Sequence, residues 1–262
     1  MNILLTGGHS GIGLELTKML RKEGHDIGMI IRSEKRKDEA IKDIGEADGI
    51  DFFYADLSKR GDIKRVAEEI KQKWGKIDGL FNNAGVLLGQ DYYAESGNEM
   101  HFEINAIAPY LLTTELKSLL DASEAPFVIN TATSSMNSQK KLDIPELKKP
   151  KKFVKLVGSY KQSKFALTLL MNQLAKEWPN VRIATVNPGP NKTKMTKESG
   201  MPGWLKHISA IMFPGPEKGA GLLYNAAFDS RYKDKSGVFI SGGKIRDMSY
   251  QLSDTERVEM LT

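Results

Sequence analysis

Short apolar runs alternate with amphipathic stretches along most of the chain. The runs "NILLTG", "DIGMIIR", "DFFYADL", "IDGLFNNAG", "PFVINTAT", "VRIATVNPG" and "GVFISGG" are short, apolar and rich in branched and aromatic residues, so they predict strands. Between them, apolar residues recur at helical spacing in "GIGLELTKMLRKEG", closed by Gly24, and in "KRVAEEIKQKWG". Two longer helices are expected, from Asn98 to Leu120 and from Tyr160 to Trp178, the second stopped by Pro179. Strands separated by helices predict βαβ units and a sheet covered on both faces. The expected class is α/β, a doubly wound, mostly parallel, seven-stranded sheet. With no repeat and no linker, a single domain over 1–262 is expected.

Composition narrows the chemistry. The 262 residues are 40% hydrophobic and 27% charged, which suits a soluble globular chain with a sizeable core. There is no cysteine, so disulfides, thiolate catalysis and cysteine-ligated zinc are excluded, and a reducing cytoplasm is the expected setting. His9, His25, His101 and His207 are scattered and form no His-Glu-x-x-His motif, so no metal site is expected. No apolar run reaches the ~20 residues of a membrane span, and "MNILLTGG" is broken too early for a signal peptide. The net charge of +5 is concentrated in "KKLDIPELKKPKKFVK", with seven lysines from Lys140 to Lys155. That segment, near 138–156, has one Phe and no Arg, which argues for a solvated loop over a nucleic-acid surface.

Two local patterns carry candidate chemistry. "LLTGGHSGIG" joins the first strand to the first helix and is a glycine-rich turn of the kind that lets a pyrophosphate reach free N–H groups at a helix N-terminus. "SYKQSKFAL" sets Tyr160 one helical turn before Lys164. A free phenol titrates near ~10, too high for base work at neutral pH, and a neighbouring ammonium is expected to draw it down.

In its spacing, Thr-Gly-x-x-x-Gly-Ile-Gly from Thr6 to Gly13, the turn resembles that of the short-chain dehydrogenase/reductase family. "NNAG" at 82–85, Asn105 in "FEINAIAPYLLT", the Tyr160–Lys164 pair and "NPGPNKT" ending at Thr193 are similar to that family's further motifs, in the same order. The resemblance runs to about Ser241 and implies a Rossmann-type fold and hydride transfer between a nicotinamide dinucleotide and a carbonyl or alcohol. It implies cofactor contacts from Thr6, Gly7, Gly8, His9, Ser10, Gly11, Ile12 and Gly13, from Asp56 and Leu57 at the adenine, from Asn83, Ala84 and Gly85, from Tyr160 and Lys164, and from Pro188, Gly189 and Thr193. A helix N-cap is the competing reading of Asp56. Tyr160 is then the general acid in reduction and base in oxidation, Lys164 also holds the nicotinamide ribose, and Asn105 supports a water-linked proton relay. A further hydroxyl steadies the carbonyl. In "INTATSSM" one alignment puts it on Thr133 and another on Ser134, and Ser134 is preferred because serine is the family's usual residue.

The second strand ends "MIIRSEKR" with no Asp at its tip, so Arg32 and Ser33 favour the 2′-phosphate of NADP(H), with NAD(H) the lesser choice. The "DIPEL" insertion and the C-terminal stretch loosely resemble the retinol-dehydrogenase-like and carbonyl-reductase-like branch. By the same resemblance the Met-rich segment near 190–214 is a substrate lid, and its apolar residues favour a lipophilic small molecule. Family members often form homodimers or homotetramers. The alternative is a catalytically silent NADP(H)-binding sensor or scaffold; joint presence of Asn105, Tyr160 and Lys164 argues against it.

Overall fold

The computed structural model describes residues 1–45, 48–133, 141–154, 158–191, 213–248 and 250–262. Its elements are β1 (Asn2–Thr6), α1 (Gly11–Lys22), β2 (Asp26–Ile31), α2 (Glu34–Ile44), β3 (Ile50–Tyr54), α3 (Arg60–Lys73), β4 (Gly79–Asn82) and α4 (Met100–Phe102). A π-helical segment (Glu103–Ile107) leads into α5 (Ala108–Glu115) and α6 (Lys117–Asp121). Then come β5 (Phe127–Thr131), α7 (Ile144–Lys148), α8 (Ser159–Glu177), β6 (Arg182–Asn187), α9 (Pro216–Phe228), β7 (Val238–Ser241), β8 (Lys244–Arg246) and α10 (Asp254–Leu261).

The sheet has the order β3-β2-β1-β4-β5-β6-β7-β8. β1 to β7 pair in parallel, whereas β8 turns back antiparallel on β7 through Gly242 and Gly243, both at positive φ. Among the described residues the sheet therefore has eight strands, one more than expected, because the tight Gly-Gly turn lets three further residues add an edge. The fold class is the expected doubly wound α/β one.

Alternation along β1 divides the core. Ile3 and Leu5 face the layer of α1 and α9, while Leu4 faces the layer of α3, α5 and α8. The first layer is continued by Leu16, Leu20 and Leu223, and the second by Ile63, Val66, Leu112, Leu167 and Leu170, all buried. Each fully buried side chain of this size stabilises by roughly 1.5–3 kcal/mol relative to exposure. Gly79 is required where β4 meets the Phe127 ring, since a Cβ there would collide with it.

One expected element is corrected. The helix foreseen over Asn98–Leu120 is broken into α4, the π segment, α5 and α6. Pro109 has no N–H to give to the Asn105 carbonyl four residues back, so the α-ladder cannot run through this point. The Ala108 amide instead reaches back five residues to the Glu103 carbonyl. A second break falls at Leu116, where φ is −92° and ψ is 8°.

Candidate active site

The motif residues converge at the carboxyl ends of β1, β4, β5 and β6, where open α/β sheets bind ligands. At the amino end of the site, Gly7 takes φ +69° and Gly11 φ +55°. A Cβ on Gly13 would fall inside contact distance of the Gly7 carbonyl oxygen. Ser10 is the N-cap of α1 but makes no side-chain capping bond, and the first turn holds no acidic residue. The helix thus presents free N–H groups above a glycine cradle, an arrangement that fits a pyrophosphate. Gly8 is buried, His9 and Ser10 half-buried, and Ile12 packs on the α1 side of the core.

Thr6, expected against the cofactor, is placed differently. It is buried, and its hydroxyl oxygen accepts from the Asn83 amide (3.1 Å) and the Ala84 amide (3.0 Å). It ties β1 to the loop after β4. The Asn83 side chain returns the tie, donating to the carbonyls of Thr6 and Gly7 at 3.3 Å. Arg32 and Ser33 are exposed at the start of α2, and the Ser33 side chain makes no capping bond there. Arg32 makes no hydrogen bond or ion pair with a described residue. Asp56 is not the N-cap of α3, which is Lys59. Its carboxylate instead accepts from the Ser58 amide (3.0 Å) and hydroxyl (2.8 Å), a local Asx turn. Leu57 lines a narrow crevice with Thr6 and Ala84.

At the other end, Lys164 and Tyr160 lie on α8. Lys164 is 3% exposed, and its ammonium donates to the Thr131 carbonyl at 2.7 Å. Asn105 is fully buried in the π segment. Its side chain clamps Val86, accepting from the amide (2.8 Å) and donating to the carbonyl (3.0 Å), and its amide nitrogen also lies 3.2 Å from the Ser163 hydroxyl. Ser163 in turn donates to the Tyr160 carbonyl at 2.7 Å. A Cβ on Gly85 would come within 2.9 Å of Asn105 Oδ1 and 3.3 Å of Lys164 Nζ, so Gly85 is what lets these two side chains approach the loop. Thr133 is half-buried two residues past β5. Ser134 and Thr193 lie outside the described residues, as do most of the lid near 190–214 and both ends of the lysine-rich segment. Pro188 and Gly189, the latter at φ +76°, are fixed by Asn191, which donates to both carbonyls and accepts from Gly219.

The electrostatics correct one expectation. Tyr160 keeps part of its surface exposed, yet burial pushes its phenol up to about 12. Burial likewise pushes Lys164 down to about 8. Desolvation penalises the charged form of each group, and the ammonium is spent on a backbone carbonyl. The phenol is therefore held protonated at neutral pH, not drawn toward the phenolate.

Two groups that the sequence did not single out belong to the site. Ser163 had no signal beyond its place inside the Tyr–Lys motif. His101, buried, sits against the Tyr160 ring and is bonded to the buried Glu99; the isolated histidine offered no pattern to find them by. A separate cavity of about 290 Å³, lined by Leu169, Lys176, Phe239, Ile245, Met248 and others, includes none of the motif residues.

Comparison with known proteins agrees with this geometry. The family model for short chain dehydrogenase matches residues 1–202. Human retinol dehydrogenase 13 is 27% identical over 265 residues, covering 97% of this chain and 80% of that one. Human polyprenol dehydrogenase is 27% identical over 253 residues, covering 92% and 76%. Among solved structures, a short-chain dehydrogenase of Shigella flexneri 2a complexed with NADP superposes with a TM-score of 0.71 at 24% identity, over 92% of this chain and 95% of that one. A 3-ketoacyl-(acyl-carrier-protein) reductase of Brucella melitensis complexed with NADH gives 0.69 at 22%, over 92% and 96%. The glycine cradle, the buried lysine and the order of the sheet are thus those of an oxidoreductase working on alcohol or carbonyl groups, and the chain belongs to the short-chain dehydrogenase/reductase family, in its retinol-dehydrogenase-like branch.

Proposed function

We propose that this protein transfers hydride between NADP(H) and a lipophilic carbonyl or alcohol, with Tyr160 as general acid and base. The observation that carries the reading is the assembly around α8. Lys164 and Asn105 meet at Gly85 in the loop that follows β4, and Ser163 links Asn105 to the Tyr160 carbonyl one turn before Lys164. When bound, the nicotinamide dinucleotide supplies or accepts the hydride. The turn from Gly7 to Gly13 and the uncapped end of α1 would hold the pyrophosphate, with Asp56 and Leu57 near the adenine. Asn83, Ala84, Gly85, Pro188, Gly189 and Thr193 would flank the nicotinamide end, and Lys164 its ribose. Tyr160 gives its proton to the forming alkoxide, a task suited to a phenol that stays protonated. The hydroxyl of Ser134 or Thr133 steadies the same oxygen.

The preference for NADP(H) is supported by Arg32 and Ser33, an exposed cation and an unused hydroxyl at the start of α2. The names of the retinol and polyprenol dehydrogenases support a lipophilic substrate. One domain over 1–262 with a lid near 190–214, a cytoplasmic setting and association as a homodimer or homotetramer belong to the same proposal. Light scattering on the purified chain tests the last point.

The test of the whole is a panel of carbonyls and alcohols followed by cofactor absorbance, with Tyr160→Phe as control. That variant should lose about 10²–10⁴-fold in turnover. Unchanged turnover would favour the sensor reading instead. Arg32→Ala should weaken NADPH about ten- to hundredfold, the range of a charge-assisted hydrogen bond, and leave NADH alone.

A further inference from the structure

His101 is buried against Tyr160 and is absent from the chemistry above. Its Nε2 takes the Leu88 amide proton at 2.9 Å, so that nitrogen is an acceptor. The ring hydrogen must then sit on Nδ1, which lies 2.6 Å from the buried Glu99 carboxylate. His101 is thereby a neutral ring fixed in one tautomer and one orientation. The second Glu99 oxygen accepts from the His101 and Phe102 amides, so the carboxylate is itself held by the start of α4.

The clamped ring faces two ways. The Tyr160 ring meets it edge to face, centroids 6.2 Å apart at 75°, and Phe153 stacks at 6.3 Å and 23°. Phe153 comes from the lysine-rich segment, which is further pinned by the Glu99 amide donating to the Lys148 carbonyl at 2.8 Å. On the other side, Leu88 belongs to the loop that Asn105 already grips at Val86. The loop beside Lys164 and Gly85 is therefore fastened at two points, and the second fastening is the group that buttresses Tyr160.

We propose that His101, oriented by Glu99, is a positioning residue that couples the loop after β4 and the lysine-rich segment to the phenol of Tyr160. The claim rests on Tyr160 being the proton donor for its effect on turnover, but the contact itself can be read without turnover. Nitrogen-15 shifts of labelled imidazole in the wild-type protein should identify His101 as the neutral Nδ1–H tautomer. Glu99→Gln is nearly isosteric but offers an amide hydrogen to Nδ1, which forces the hydrogen to Nε2, against the Leu88 amide. In that variant the Leu88 amide should exchange at least tenfold faster, and a 3-fluorotyrosine placed at 160 should shift its fluorine resonance. Reductive kcat should fall about tenfold with the NADPH Kd within twofold. His101→Gln, which retains an acceptor for Leu88, should recover the Leu88 protection but not the fluorine shift.

A charged or Nε2–H His101 in the wild type would overturn the proposal, as would an unmoved fluorine resonance in folded variants. Parallel loss of kcat, NADPH affinity and melting temperature would reduce His101 to a packing residue and overturn it as well. If Glu99→Gln fails to fold, the wild-type tautomer and His101→Gln decide. Full turnover in Tyr160→Phe would overturn the catalytic reading alone, because the fluorine probe still reports the contact.

Discussion

Burial acts on positions 160 and 164 in opposite senses, and the pH dependence of reduction should carry both marks. A phenol pushed up to about 12 keeps its proton across the whole working range. A lysine pushed down to about 8 is charged below that pH and neutral above it. Reductive kcat/KM should therefore be flat from pH 6 to 8 and fall above 8, as the charge proposed to hold the ribose is lost. Initial rates across pH 6 to 10 check this, and a decline beginning only near 10 would count against it. At the opposite end of the site, Gly13→Ala would thrust a methyl at the Gly7 carbonyl. Overpacking of that kind costs about 1–3 kcal/mol, and calorimetry should show a lowered Tm together with weakened dinucleotide binding. The Tyr–Lys pair and the glycines were legible because their spacing alone places them. The ionisation of Tyr160 was not legible. Spacing says that an ammonium is one turn away, but not that burial of the phenol penalises the phenolate.

Among the elements, the seven parallel strands and the helices α1, α3 and α8 were found from their apolar period, whereas α2 and α9 were missed, α9 despite burying Ala220, Leu223 and Ala226. β1 to β7, α1, α3 and α8 follow the pattern closely. α2 reads "EKRKDEAIKDI" and buries only Ala40 among its residues, so no apolar stripe announces it. The break around Asn105 was invisible for a different reason. Apolar periodicity continues through it, and only the hydrogen-bond consequence of Pro109 interrupts the ladder. The π segment is anchored by Glu103, 1% exposed, which receives Arg60 Nε at 2.7 Å and the Asn98 side chain at 2.7 Å. Arg60 also reaches the Leu261 carbonyl of α10. Arg60→Ala would leave a buried carboxylate with only Asn98. The expected cost is about 2 kcal/mol or more, below the full value for a buried pair because Arg60 is partly exposed. Urea denaturation should show the lowered midpoint.

For the whole molecule, the site's chemistry is set against its stability. The fall in Lys164 from 10.5 to about 8 corresponds to about 3 kcal/mol against its charged form in the folded chain. Between pH 8 and 10.5 the unfolded chain binds a proton that the folded chain does not, so this group's contribution to stability rises with pH across that window. Below 8 the penalty is constant. Lys164→Met should accordingly raise the Tm at pH 7 while abolishing turnover, and the gain should shrink toward pH 10. Equal melting of the two proteins at pH 7 would contradict it. The Thr6 hydroxyl works at the same scale, since one oxygen holds the turn after β1 to the loop after β4. The two halves of a dinucleotide would then rest on parts of the chain that cannot shift separately. If so, occupancy of one half is felt by the other. An adenosine bisphosphate should sharpen the binding of a nicotinamide mononucleotide, and Thr6→Val, which keeps the shape but removes the oxygen, should make the two fragments bind as strangers.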